Sequence, residues 1–229
     1  MSRQSMEFRR GVGAILITIC VPPAWNCAQL LAQDSTPHWV PFVAKLVEEE
    51  VHKPPGGMSV HVTIAGVFVR NSRGVLYRRM VASVGSDLPV QGLSLDTADL
   101  HDRPHRIRYE IDYVNKTIKR ESDPSGDPDF AVGPMSRADF DRRHAADLSL
   151  GKQIVAGVEC EGYKLSDPRH KGKYRGEAWF APSVDFLLVR YSGRLSSGAA
   201  VTLEVKDLEP GKEPDPSFFR LPEGFKLVK

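Results

Sequence analysis

The stretch Ser35–Lys53, "STPHWVPFVAKLVEEEVHK", decides how the rest of the chain is read. Ser35 or Thr36 can cap a helix and Pro37 suits its first turn. Trp39, Phe42, Val43, Leu46 and Val47 then recur at helical spacing, and "KPPGG" ends the run. The spacing predicts an amphipathic helix, and a lone amphipathic helix needs a surface to cover.

Downstream segments supply one. "RIRYEIDY" alternates cleanly, with Ile107, Tyr109, Ile111 and Tyr113 on one face and Arg106, Arg108, Glu110 and Asp112 on the other. "VHVTI" sets Val60, Val62 and Ile64 together, after which the apolar parity shifts to Val67 and Val69. A slip beside Gly66 predicts a β-bulge. Asn71–Gly74 reads as a turn into the hairpin partner "VLYRRMVAS", and Asn115-Lys116 turns into "TIKRE". "KQIVAGVECEGYKL", "GEAWFA", "VDFLLVRYS" and "AVTLEVKDL" follow as further strands, each bounded by Gly, Pro or Ser. One charged and one apolar face per strand marks an antiparallel sheet covering a core. The expected class is therefore α+β: a curved antiparallel sheet, an incomplete β-barrel, packed on an N-terminal amphipathic helix.

The amino terminus reads as a leader. Arg3, Arg9 and Arg10 precede the uncharged run Gly11–Val21, which Pro22-Pro23 stops well short of the roughly 20 apolar residues of a membrane span. Residues 1–32 are expected to be a signal peptide, cleaved after Ala28 or Ala32, and residues 34–229 one exported domain without a stable membrane span. Taking the leader's three arginines and one glutamate from 31 basic and 29 acidic residues leaves 28 of each. That neutral balance gives no reason to expect a nucleic-acid partner. Cys20 and Cys27 leave with the leader, so Cys160 stands alone and no intrachain disulfide is expected.

The carboxyl-terminal run "DLEPGKEPDPSFFRLPEGFKLV" alternates proline-fixed steps with Phe218, Phe219, Leu221 and Phe225. Proline withholds a backbone donor, so this segment should follow a sheet edge while Phe218 or Phe219, with Leu221 and Phe225, points inward to plug an open end. Together with "WFAPSVDFLLVRY" and "GKQIVAGVECEGYK" it resembles a group of uncharacterised secreted bacterial proteins. These are similar to the periplasmic lipoprotein-carrier (LolA-like) superfamily, and the likeness runs best from about Leu148 to the end. The resemblance implies a half-barrel that holds a lipid or an acylated protein.

Candidate chemical sites have simpler readings. Cys160 shares a strand face with Val158, away from Glu159 and Glu161, which marks core filling and an inert thiol in place of a nucleophile with His144 or His170 as base. His101 and His105 have zinc-like spacing, but Pro104 interrupts it and an exposed turn explains both. "DPSGDPD" (Asp123–Asp129) has Pro128 where a calcium loop needs glycine. "RHKGKYR" (Arg169–Arg175) reads as a solvated turn. No cofactor, metal or catalytic set is expected.

Two functions follow. The first is an exported, non-enzymatic protein of the periplasm or the extracellular side that binds an apolar ligand. Its groove would be lined by Trp39, Phe42, Leu46, Val62 and Ile111, with the irregular stretch Ser122–Arg143 near its mouth. The second is a protein-interaction module with a filled core and no groove.

Overall fold

The computed structural model describes residues 38–52, 59–85, 95–122, 135–166, 174–194 and 198–228. The leader, the Asp123–Asp129 run and most of the Arg169–Arg175 turn, His170 included, lie outside them. The described strands are β1 (Phe42–His52), β2 (Val60–Arg70), β3 (Val75–Gly85), β4 (Leu95–Asp102), β5 (Ile107–Asp112) and β6 (Thr117–Ser122), followed by β7 (Leu148–Val155), β8 (Val158–Ser166), β9 (Tyr174–Ala181), β10 (Leu187–Arg194), β11 (Ala200–Pro210) and β12 (Lys226–Val228). They form a single 12-stranded sheet in the order β12-β6-β5-β4-β3-β2-β1-β11-β10-β9-β8-β7. Every pairing is antiparallel except that of β12 with β6. Among the described residues the one α-helix is α1 (Arg137–Arg143), between β6 and β7.

The expected N-terminal helix is a strand, so the fold is mostly β and not α+β. From Phe42 to His52 the chain is β1, paired along its length with β2 and over most of it with β11. The reason lies in the periods. A spacing of four residues, as in Phe42/Leu46 and Val43/Val47, fits a helix turn and is also a multiple of the strand period. Ala44 settles the choice: Phe42, Ala44 and Leu46 are all buried, whereas Lys45 is exposed. Val40, Val43, Val47 and Val51 add a β-branched bias, and hydrogen bonding to two neighbours overrides the local helical pattern.

The face of β1 that carries Phe42 and Leu46 is the sheet's inner face. It gathers Phe68 of β2, Leu76 of β3, Val155 of β7, Cys160 of β8 and Leu187 of β10 into the main buried cluster, with Leu203 and Val205 of β11. The connection between β9 and β10 folds over this cluster: a 3-10 turn at Pro182–Val184 buries Val184 in it. At the end of β2, the fully buried Arg70 donates from Nη2 to Asp185 Oδ2 at 2.6 Å and to the Val40 carbonyl at 2.7 Å. Burial pushes the Arg70 guanidinium down to about 10, with Asp185 opposing. Asp185 and Phe186 both adopt positive φ, at 56° and 58°, so this pair also holds two non-glycine residues in the left-handed region.

The carboxyl-terminal segment covers the outer face, and α1 covers the far end of the inner one. Val69, Tyr77, Leu100, Ile111 and Ile118 form a second cluster beneath Phe218, Phe219 and Phe225 of the carboxyl-terminal segment. Phe225 meets Tyr113 edge-on at 5.5 Å, and β12 extends the β6 edge, so the segment follows an edge as its prolines require. Leu221, expected to point inward, is 38% exposed. At the other end α1 drives Phe140 among Leu165, Ala178, Phe180 and Phe186. That helix occupies the described part of the stretch expected to sit at a groove mouth, and it lies on the inner face: Ala178 and Tyr163 beneath it stand in register with Tyr191 of β10 and, through it, with Leu203 of β11.

No register shift interrupts β2. The parity change at Gly66 is therefore not a bulge but a change in which face is covered. Val62, Ile64 and Phe68 point inward, while Val67 and Val69 pack outward under the carboxyl-terminal aromatics. Gly66 is required for another reason: a Cβ there would lie 1.7 Å from the Arg79 carbonyl oxygen of β3, closer than any side chain permits.

Candidate functional site

Along β1 the inner face changes character with strand period. Phe42, Ala44 and Leu46 are buried; next on the same face come Glu48, Glu50 and His52, all partly accessible. On β2, Phe68 is fully buried, whereas Ile64, Val62 and Val60 are half-buried. Met80 of β3, opposite Gly66, packs against the main cluster and is likewise only partly covered. Across β1 to β3 the same apolar surface is thus sealed at one end of the strands and half-open at the other, while Val201 and Leu203 of β11 stay buried beside Glu50 and Glu48.

Carboxylates edge this half-open end. Glu48 sits between Ile64 of β2 and Leu203 of β11, and Glu50 between Val62 and Val201. His52 Nε2 lies 2.6 Å from Glu50 Oε2. Burial pushes the Glu48 carboxyl above the ordinary carboxylate range, and neighbouring Glu50 pushes it the same way against Arg78.

Further across, on β3 to β6, the inner face becomes ionic. Asp99 of β4 accepts from Arg78 of β3 at 2.9 Å and from Arg108 of β5 at 2.7 Å. Burial alone would raise the Asp99 carboxyl, but the bonds from Arg78 and then Arg108 hold it below the usual value. The face therefore grades from aromatic and aliphatic to charged.

The positions expected to line a groove divide between faces. Phe42 and Leu46 belong to the main cluster, meeting Phe68 with ring centroids 5.1 Å apart for the Phe pair. Trp39 is buried, with the Arg70 and Arg103 guanidiniums 5.0 and 5.3 Å from its ring. Val62 lies on the half-open part of the inner face. Ile111 lies on the opposite face, under the carboxyl-terminal segment. Sequence reading did not place Met80 and Glu48 on the face that carries Val62 and Ile64. The period-two run Glu48, Glu50, His52 was the available signal, hidden once the segment was read as helical.

The other singled-out side chains are structural. Cys160 is fully buried, and burial pushes its thiol up to about 11, as expected of an inert cysteine. His101 is buried in β4 and not in a turn, whereas His105 is exposed with Nδ1 2.8 Å from Asp102. Asp147 bonds both His144 Nδ1 at 2.7 Å and the Ser166 hydroxyl at 2.8 Å, so the carboxylate, and not the histidine, meets the serine. That is a clasp between α1 and β8, without the serine–histidine contact of nucleophilic catalysis. Among the described residues no group of three or more His, Cys, Asp or Glu is placed to hold a metal.

Neither a family model nor a curated protein sequence matches the chain. Solved structures do. Over 83% of its length the chain is similar to MucB in its complex with MucA(peri), at 14% identity and a TM-score of 0.42, and it spans 57% of that protein. A LolA superfamily protein of Nitrosomonas europaea matches 79% of the chain over 90% of its own length, at 11% identity and a TM-score of 0.29. A putative outer membrane lipoprotein-sorting protein domain of Vibrio parahaemolyticus matches 77% of the chain over 88% of its own, at 13% identity and a TM-score of 0.31.

Proposed function

We propose that this chain is an exported, non-enzymatic binding protein of the cell envelope that takes up a lipid or acyl chain at the half-open end of its inner face. One observation carries the reading: Val60, Val62, Ile64 and Met80 are half-exposed on the very face that buries Phe42, Leu46 and Phe68. An apolar strip that is continuous with a core yet wet at one end gains by accepting an apolar occupant, at about 25 cal/mol per Å² covered. The sealed end serves as the floor and Val62 as the wall. Trp39 and Ile111 hold the scaffold.

A second reading has its own support. Phe42, Leu46 and Trp39 are packed by the protein's own side chains, which is what an interaction module with a filled core requires. Titration with a fluorescent fatty-acid probe separates the two. The binding reading expects saturable binding, competed by lipid extract and weakened about tenfold or more in a folded Val62→Arg protein, since a buried charge costs well over 1.4 kcal/mol. Absent binding in the wild type favours the interaction module. Phe42→Arg would not serve, because Phe42 is fully buried and its loss would unfold the protein.

A further inference from the structure

A carboxylate placed against an apolar ligand strip needs a reason. Glu48 alternates inward with Leu46, and its cross-strand partners on both sides, Ile64 and Leu203, are apolar. Across the inner face the charged groups that bear on it are Glu50 on its own strand and Arg78 on β3, with His52 beyond, bonded to Glu50. β2 presents Val60, Val62 and Ile64 there, and β11 presents Val201 and Leu203; none of these titrates. His61, Lys206 and Glu204 belong to the opposite parity of their strands.

Resting on the binding reading above, we propose that Glu48 makes occupancy of the inner face proton-linked: the strip takes up an uncharged apolar ligand when Glu48 is protonated and disfavours it when Glu48 is ionised. With Leu203 already buried on one side, an occupant lying on Ile64 and Val62 strips the remaining water from the carboxyl beside them. Removing water penalises the charged form, so the occupied protein holds the Glu48 proton more tightly than the empty one. Binding then takes up a proton, and affinity falls as pH rises. The unliganded protein is already displaced in that direction, by burial first and Glu50 second.

The test uses a pyrene-labelled long-chain alcohol, a probe with no titratable group, on the whole mature protein and on Glu48→Gln. Wild-type affinity should fall about tenfold between about pH 5 and about pH 8, while the glutamine protein stays flat at the tighter value. A flat wild-type profile would overturn the linkage and leave the binding reading standing. The same slope in both proteins would overturn the assignment to Glu48. A probe that binds neither protein at any pH would overturn the linkage together with the binding reading. Thermal melts without ligand give an independent arm. Because the folded carboxyl lies above its ordinary 4.5, the ionisation penalty is absent below that value and grows as pH rises through the folded one. Glu48→Gln should therefore melt like wild type at about pH 4 and higher than wild type near neutrality. Equal melting at both pH values would show that Glu48 is well solvated, which overturns the proposal.

Discussion

Asp99 answers for two partly buried arginines and Asp185 for a fully buried one, and they do so differently. Asp99 shares its carboxylate between Arg78 and Arg108, so Asp99→Asn should cost about 1.5–3 kcal/mol near neutral pH, the worth of hydrogen bonds to charged groups. Its folded value lies below the ordinary 3.8, so this contribution is present above 3.8 and fades as pH falls through the folded value. Urea unfolding at neutral pH and near about pH 3 should show the difference between the two proteins shrinking in acid. A pH-independent difference would mean that the carboxylate's charge does not matter. Asp185 has the harder task, because Arg70 is fully buried. Asp185→Asn keeps a residue that tolerates the left-handed conformation but removes the countercharge, and about 3–5 kcal/mol should go with it. The same urea measurement checks this, and a loss under about 1 kcal/mol would demote the pair. Cys160 was legible at this scale because its two-residue alternation with Val158 is local. Arg70 was not, since nothing near it in sequence announces Val40, Val184 or Asp185 as partners.

Strands with one apolar and one charged face could be read from sequence, and β5, β6 and β10 stand about where the alternation put them, whereas the run read as one strand from Lys152 to Leu165 turns at Ala156-Gly157 into β7 and β8. Two elements could not be read this way. β4 carries only Ala98 and Leu100 outward, between Asp96 and Asp102, an apolar face too short to stand out, and its inward Thr97, Asp99 and His101 read as polar until Arg78 and Arg108 supply partners for Asp99. β1 failed because its spacing fits two periods and only its neighbours choose between them. At the centre of the sheet, β1 should be among the slowest elements to exchange amide hydrogens. Rapid exchange from Val43 to Val47 would contradict its place there. Gly66→Ala tests the close approach of β2 and β3: with its Cβ set against the Arg79 carbonyl, melting should fall by several degrees, at about 2–4 °C per kcal/mol for a domain of this size. The carboxyl-terminal segment is an element of the fold too. Phe218, Phe219 and Phe225 are only partly buried, so each alanine variant should cost less than the about 3–5 kcal/mol of a fully buried Phe. Ending the chain before Gly211 removes all three and uncovers Tyr77, Ile111 and Ile118. Melting should then fall by more than any single variant's drop, with faster exchange concentrated in β5 and β6.

At the scale of the sheet, its 12 strands bury the inner face at one end of β1 to β3 and leave it half-open at the other, with α1 on the inner face over β8 to β10 and the carboxyl-terminal segment on the outer face. Sequence periodicity shows that a strand has an apolar face but not which of two faces a distant segment will cover. That is why Ile111 was grouped with Phe42 and Val62 although it points the other way. The candidate strip was legible in Val62 alone; Ile64, Met80 and Glu48 join it only once β1 is a strand. Export is the outer premise of the proposal, and amino-terminal sequencing of envelope-fraction protein should find a start within a few residues of Gln29 or Gln33, with Met1–Arg10 removed. The central claim, that the half-open strip holds an apolar ligand, is met most directly by native mass spectrometry of the mature protein purified from the envelope without detergent. A folded protein carrying an adduct of lipid mass, released on denaturation, extractable into organic solvent and absent from Val62→Arg, is the result predicted. A single bare mass for the folded wild type, with nothing in the extract, would contradict it and assign the sheet to protein interaction.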